Sequence, residues 1–416
     1  MLDGTWSYRQ LAELVHEQRS AVSQGGVRES LLIAGGQPIP TALAMIFAGA
    51  ADGIPVLLAD PAGPTPTPDA VHDGTFLVVV TSGTSGRPRP VLRTAESWTA
   101  SFAPLTELAG LSPDDRVLLT GPLHATLHLF AAVHTLAMGA ELTQWPERAT
   151  AVHSVPAVLS DLITTLPAAA PLRTAVVAGS TLTTEIGDRA LARGITVTEY
   201  YGAAELSFVA ARRYPDPLRP FPGAEVDIRH AVTTSGAKRH GSSAQAGSPG
   251  TLWVRSPYLA MGYPAGVDGP LRRDDNGYAT VGDLANRNGD GGLTIRGRGD
   301  AAITTGGATV IAEDIESALS RLPGVGAVAV IGLPHRRYGE VVTAVIEPAT
   351  DAELTELRAA ARELLRGPSL PRRWLIADRL PRTPGGKIAR DLVRRAAATH
   401  ANGERWVGPP ALRPLA

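Results

Sequence analysis

The stretch VVVTSGTSGRPRPV at 78–91 is where the fold declares itself. Its valines extend the apolar run TFLVVV (75–80), which has the length and β-branched content of a buried strand. Thr81, Ser82, Gly83, Thr84, Ser85 and Gly86 follow with no charge among them. Glycines let a backbone fold around an anion with its N–H groups turned inward, and hydroxyls add donors at the same radius. The composition is that of a phosphate cradle. Its spacing is not the G-x-x-x-x-G-K-[ST] of a Walker loop, so that fold is not supported. On composition alone, a polar turn after a strand is the other reading.

Similar runs recur outward from this point, as RVLLT (116–120), TAVVAG (174–179) and ITVTEYYG (195–202). Each leads into small polar residues and then a longer amphipathic stretch, the pattern of βα units with parallel strands. Ligands in such folds bind beyond the strand C-termini. Two Gly/Pro-rich polar stretches, PAGPTPTPDAVHDG (61–74) and TTSGAKRHGSSAQAGSPG (233–250), cannot bury a core and read as exposed loops. After the second the chain becomes β-rich. From about residue 300 a separate module is expected, with a helix at EDIESALSRL, strands at AVAVIGL and VVTAVIEP, a helix at DAELTELRAAARELL and a basic tail.

Length bounds the architecture, because 416 residues exceed the roughly 100–200 of one domain and leave a cleft available between two or three. The 39 Lys and Arg nearly cancel the 40 Asp and Glu, which argues against nucleic acid as a partner. With no cysteine there is no disulfide, thiolate metal site or cysteine nucleophile. The N-terminus lacks the uninterrupted apolar core of a signal peptide, and no stretch reaches the roughly 18 apolar residues of a membrane span. A soluble, cytoplasmic protein is expected.

The 78–91 segment resembles the T-S-G-T-T-G-x-P-K-G phosphate loop of the adenylate-forming superfamily, which joins acyl- and aryl-CoA synthetases, luciferases and peptide-synthetase adenylation domains. Further blocks match in order. EYYGAAE (199–205) resembles Y-G-x-T-E, and YATVGDLA (278–285) resembles Y-x-x-T-G-D. GRGDAAITTGGATVIAEDIESAL (297–319) resembles the G-R-x-x-D hinge and the glycine loop after it, and LPRTPGGKIARDLV (380–393) resembles the terminal L-P-x-T-x-x-G-K block. The likeness spans essentially the whole chain. At the front, TWSYRQLAEL looks like a block that several dozen residues normally precede, so a short member with a reduced N-terminus is expected.

The resemblance implies an α/β fold, with a large N-terminal domain of layered sheets and helices over 1–298 and a small mobile C-terminal α+β lid over 299–416. It implies activation of a small-molecule carboxylic acid by ATP as acyl-AMP, with Mg2+ as cofactor, and transfer to coenzyme A or a phosphopantetheine arm. Thr81 to Gly86, with Arg89, would hold the β- and γ-phosphates, and Glu205 would hold Mg2+ through a hard oxygen. Asp283 would bind the ribose hydroxyls beside Arg298. Tyr201, with Gly202 and Ala203 after it, would stack on adenine, and Gly179-Ser180 would run along its edge. Lys387 would stabilise charge that develops only in the transition state. Asp300 matches the hinge, and Gly306-Gly307 the surface that swings in for thiol transfer. Taken alone, GGK is a surface turn, Asp283 a turn aspartate, Asp300 a loop-start carboxylate and Glu205 a helix-terminal charge.

The acid pocket is expected at PLHATLHLFAAVHTLAMGAEL (122–142), where His124 stands and no acid appears until Glu141, which argues against an α-amino acid. A lining of Ala, Val and His favours medium-chain or aryl acids. His124 and His128 at i, i+4 also allow metal ligation, but no third ligand is in sight, so packing or substrate contact is expected.

The chain departs from the pattern at Arg89-Pro90, where Lys-Gly is usual, and at Ala204, where a threonine is usual. Beside the CoA ligase reading stand a stand-alone adenylation enzyme that loads an acyl carrier protein, an enzyme that adenylates another oxyanion such as nitrite, and a silent nucleotide-binding homologue. Retention of Lys387, Glu205, Asp283 and Arg298 together argues against the last, since buried charges are costly without a task.

Overall fold

The computed structural model describes residues 6–24, 31–61, 71–81, 89–230, 249–298, 302–305, 308–349, 356–383, 386–403 and 408–415. The chain opens with helices α1 (Tyr8–Gln24) and α2 (Ile39–Asp52), packed on one another beside a small sheet. Its strands are β1 (Leu32–Ile33), β2 (Val56–Leu58), β3 (Leu77–Thr81) and β4 (Arg89–Arg93), in the order β1-β2-β3-β4. β3 and β4 are antiparallel, and Thr81 pairs with Arg89. The segment read as a phosphate cradle therefore connects two strands of one hairpin.

The second sheet holds the βα units. Strands β5 (Arg116–Leu119), β6 (Glu141–Thr143), β7 (Ala151–Ser154), β8 (Thr174–Val177), β9 (Thr196–Ala203), β10 (Ser207–Arg213) and β11 (Arg219–Pro220) lie in the order β11-β10-β9-β8-β7-β5-β6. β6, β5, β7, β8 and β9 run parallel, so their C-terminal ends meet on one side. Helices cover both faces, as a parallel sheet requires. On one face α3 (Ala95–Thr99), α4 (Phe102–Ala109) and α5 (Thr126–Ala137) enclose Trp98, Leu105, Leu129, Phe130 and Phe208. On the other, α6 (Pro156–Thr165) and α7 (Thr184–Ala192) bury Val152, Leu159, Val177 and Val197. Thr94 and Thr183 start their helices by accepting from the N–H of Ser97 and Ile186.

A third sheet contains β12 (Glu225–Arg229), β13 (Gly250–Arg255), β14 (Arg272–Arg273), β15 (Ala279–Thr280), β16 (Asp283–Arg287) and β17 (Leu293–Arg298). The last sheet is built wholly from later residues, with β18 (Ala302–Thr305), β19 (Ala308–Ile311), β20 (Val325–His335), β21 (Gly339–Pro348), β22 (Arg373–Ala377) and β23 (Leu412–Pro414). The side chains of β20 and β21 alternate between two cores. Val330, Val342 and Ile346 meet α8 (Ala312–Leu319) and α9 (Leu357–Leu364), while Ile331 and Val345 meet α10 (Arg390–Ala401). The fold is the α/β arrangement expected, a large N-terminal domain with a small C-terminal α+β domain. The helix read at 351–365 is observed from Leu357, and 351–355 lie outside the described residues.

Candidate active site

Beyond β9 the chain makes a tight turn into β10, and this turn carries Glu205. Gly202 is obligatory there, since a Cβ on it would stand 2.1 Å from the carbonyl oxygen of Ser207. Ser207 itself holds a positive φ of 57°, strained for a residue with a side chain. The turn buries Glu205, which is 3% exposed. Its carbonyl accepts from the N–H of Ala260 at 2.9 Å, and its Oε1 accepts from the Tyr263 hydroxyl at 2.8 Å. Burial, with the adjacent carboxylate, raises the Tyr263 phenol above its ordinary range, so it stays a donor.

Tyr201, four residues before Glu205, donates its hydroxyl to Oδ2 of Asp283 at the start of β16. Asp283 is 5% exposed, and its Cα lies opposite that of Arg298 in the antiparallel register. The residues expected to hold nucleoside are thereby drawn from the second and third sheets to one place. Glu199, earlier on β9, is buried and was not singled out from the sequence. Its Oε1 accepts from the N–H of Leu182 and its Oε2 from Arg212, tying the loop that contains Gly179 and Ser180 to β9.

Lys387 reaches this region from the C-terminal domain. It stands on a tight hairpin in which the N–H of Thr383 donates to its carbonyl at 2.7 Å, Gly386 donates to Thr383 and Ala389 donates to Pro381. Gly179, at φ +92°, faces it, for an added Cβ would stand 3.2 Å from Cε of Lys387. A Cβ on Gly386 would likewise meet Val155, next after β7, at 3.0 Å. The lysine therefore lies at the C-terminal ends of the parallel strands. Arg390, at the start of α10, holds the hairpin to α8 through Glu313 at 3.0 Å and Glu316 at 2.6 Å.

His124 precedes α5, with Nε2 3.9 Å from Oδ2 of Asp60. His128 turns instead toward Thr120, whose hydroxyl lies 3.3 Å from its Nδ1, and packs so tightly on Gly121 that a Cβ there would clash with the ring. Burial, reinforced by His124, pulls the His128 pKa down to about 4, as fits a packed neutral ring. Among the described residues no group of three or more His, Cys, Asp or Glu is disposed to hold a metal.

At the phosphate hairpin, the backbone N–H of Arg89 lies 3.4 Å from Oγ1 of Thr81. Ser82, Gly83, Thr84, Ser85 and Gly86 lie outside the described residues, as do Asp300, Gly306, Gly307 and the side chain of Arg298.

Residues 14–264 match the family model of the AMP-binding enzymes, and residues 314–387 match the model of their C-terminal domain. The chain belongs to the AMP-binding enzyme family. This AMP-binding enzyme is 30% identical over 359 residues to an uncharacterised acyl-CoA ligase, YhfT, of Bacillus subtilis, with 80% of this chain and 71% of that one covered. It is 29% identical to a sulfoacetate-CoA ligase of Cupriavidus necator, covering 88% of this chain and 75% of that one. In three dimensions it is similar to ATP-bound MatB from Rhodopseudomonas palustris, with a TM-score of 0.78, 21% identity and coverage of 94% and 93%. The C-terminal model ends on Lys387 itself. Among the described residues no helix of the AMP-binding enzyme is long and apolar enough to cross a membrane.

Proposed function

We propose that this enzyme activates a carboxylic acid as its acyl-adenylate and passes the acyl group to a thiol with release of AMP, with coenzyme A as the acceptor. The observation that carries the reading is Lys387 seated against Gly179 at the strand ends where Tyr201, Asp283 and Glu205 gather. A carboxylate oxygen of the acid attacks the α-phosphorus of ATP, the bond from that phosphorus to the bridging oxygen breaks, and pyrophosphate leaves. Anion meets anion in this step, so the protein's work is positioning and charge neutralisation. Lys387 supplies a compact cation to oxygens whose charge shifts in the transition state. Asp283 takes the ribose hydroxyls, Tyr201 the adenine face, the Gly179-Ser180 turn its edge, and the 81–86 loop with Arg89 the distal phosphates. His124 is assigned to the acid.

Glu205 fits a magnesium ion. It offers one buried, hard carboxylate, which suits an ion that takes most of its coordination from phosphates and water. When bound, Mg2+ would neutralise charge on the ATP phosphates. Thiol transfer is assigned to a second arrangement, in which the C-terminal domain turns about Asp300 and presents the Gly306-Gly307 loop.

The choice of coenzyme A is supported by relatives whose names are CoA ligases, and transfer to a carrier-protein phosphopantetheine is the other outcome of the test. That test is ATP–pyrophosphate exchange over aliphatic, aryl, sulfonated and amino acids plus nitrite, with Lys387→Ala as control, followed by acceptor assays with free coenzyme A and with a loaded carrier protein. Acid-dependent exchange that collapses in the variant supports the reading. ATP binding without exchange for any acid turns it to a silent nucleotide-binding protein.

A further inference from the structure

Arg93 closes β4, the strand that leaves the phosphate hairpin, on the same strand face as the core residue Val91. It is 1% exposed and is the largest fully buried side chain among the described residues. Its Nη2 donates to the carbonyls of Ser97 at 2.6 Å and Tyr258 at 2.7 Å, its Nη1 donates to the carbonyl of Ala204 at 3.1 Å, and its guanidinium lies 5.6 Å from the Trp98 ring centre. Carbonyl dipoles and an aromatic face soften the burial of a charge without cancelling it, and such a charge is costly unless an opposite one is near. The nearby opposite charge is Glu205. Burial pulls the Arg93 pKa down to about 9, and the Glu205 carboxylate opposes that pull.

Two of the three carbonyls that Arg93 grips belong to segments that also grip Glu205. Ala204 is its chain neighbour. Tyr258 opens the loop whose Ala260 N–H binds the Glu205 carbonyl and whose Tyr263 hydroxyl binds its Oε1. Leu92, beside Arg93, stitches the same loop to β4 by donating to Gly262 and accepting from Met261. A neutral core residue would fill the space. It would not hold these two segments at a set distance, nor balance the carboxylate.

We propose that Arg93 is a positioning residue, which sets where the Glu205 carboxylate stands relative to the phosphate hairpin and supplies its buried counter-charge. The inference rests on the role given to Glu205 above.

Binding of Mn2+ with ATP, titrated by electron paramagnetic resonance on the full chain, tests it without relying on turnover. Arg93→Met should weaken Mn2+–ATP binding by about 10–100-fold, the range for a group that orients a metal ligand. The KM for the acid should change less than about twofold, since uniform acid binding is untouched. Arg93→Lys keeps the charge but not the fork, so its loss should lie between wild type and Arg93→Met. Should Arg93→Met fail to fold, Arg93→Lys decides alone. Variants with wild-type near-ultraviolet dichroism and undiminished Mn2+–ATP affinity overturn the proposal, even if their Tm is lowered. A wild-type chain that binds no Mn2+–ATP overturns the role of Glu205 as well, a different result from equal binding by wild type and variants.

Discussion

Lys387 lays the end of its side chain over Gly179 so closely that a Cβ built on the glycine would stand 3.2 Å from the lysine Cε. The two residues belong to different domains, so the contact records the C-terminal domain in the arrangement that brings its lysine to the strand ends. Gly179 also holds φ +92°, where a side chain is strained. Gly179→Ala should therefore cost about 1 kcal/mol of stability and also push the lysine off its place. A displacement of this size is expected to slow pyrophosphate exchange by about 10–100-fold. Thiolysis of a supplied acyl-adenylate should be spared, and equal loss in both half-reactions would refute the assignment.

Tyr201 and Asp283 offer a sharper test of the nucleoside site. Tyr201→Phe keeps the ring and removes the hydroxyl that donates to the carboxylate. A hydrogen bond to a charged group contributes about 1.5–3 kcal/mol, so kcat/KM for ATP should fall by roughly 10–100-fold. The KM for the acid should hold. If Tyr201→Phe leaves ATP kinetics unchanged in a steady-state titration, the pair is structural only.

Much of this site was legible because its residues sit in short blocks with strong local chemistry. The strand runs around 77–81, 116–119, 174–177 and 196–203 appear close to where apolar patterning puts them. What stayed hidden was pairing between blocks. Tyr263 reaches Glu205 across 58 positions, and Glu199 reaches Leu182 across 17, by folds of loops that no periodicity encodes. Arg93 did leave a trace. It ends the strand RPVLR, in which Pro90 to Arg93 are all buried, so its only mark in the sequence is a charge directly after the apolar pair Val91-Leu92. His128 illustrates the converse, since its spacing from His124 allows a metal pair, yet the fold turns it toward Thr120.

Arg390 anchors the Lys387 hairpin by neutralising two part-buried carboxylates. Burial raises Glu313 to about 7 and also raises Glu316, with Arg390 opposing both. Removing the cation leaves two like charges enclosed, and Arg390→Met should destabilise the protein by roughly 2–4 kcal/mol. The sign of the pH dependence follows. A carboxyl whose folded pKa lies above its unfolded value of 4.5 favours the fold at low pH, and that contribution is lost as pH rises through about 7. Without Arg390 the mismatch widens, so the drop in Tm should be larger at pH 8 than at pH 5.5. An equal drop at both would mean the arginine acts by packing alone.

His153 sets the opposite slope in the N-terminal domain. Its side chain is buried at the end of β7, 5.8 Å between ring centres from His134, and neither ring nitrogen has a hydrogen-bond partner among the described residues. Burial, with His134 and His128 nearby, holds its pKa well below 6.5, and burial holds His134 and His128 at about 4. The folded chain thus keeps these rings neutral where the unfolded chain would protonate them. Their stability contribution is intact above pH 6.5 and is lost as pH falls from there toward the folded values, by roughly 2 kcal/mol at pH 5 for a ring such as His134 or His128 whose folded pKa is about 4. His153→Leu removes one such group and leaves no polar atom to satisfy, so at pH 7.5 it should lie within about 1 kcal/mol of wild type. At pH 5 it should be the more stable protein, with the higher Tm. Comparing the two Tm curves from pH 7.5 to 5 cancels the Glu313 contribution, which both proteins share. Parallel curves would mean that His153 takes up its proton within the fold.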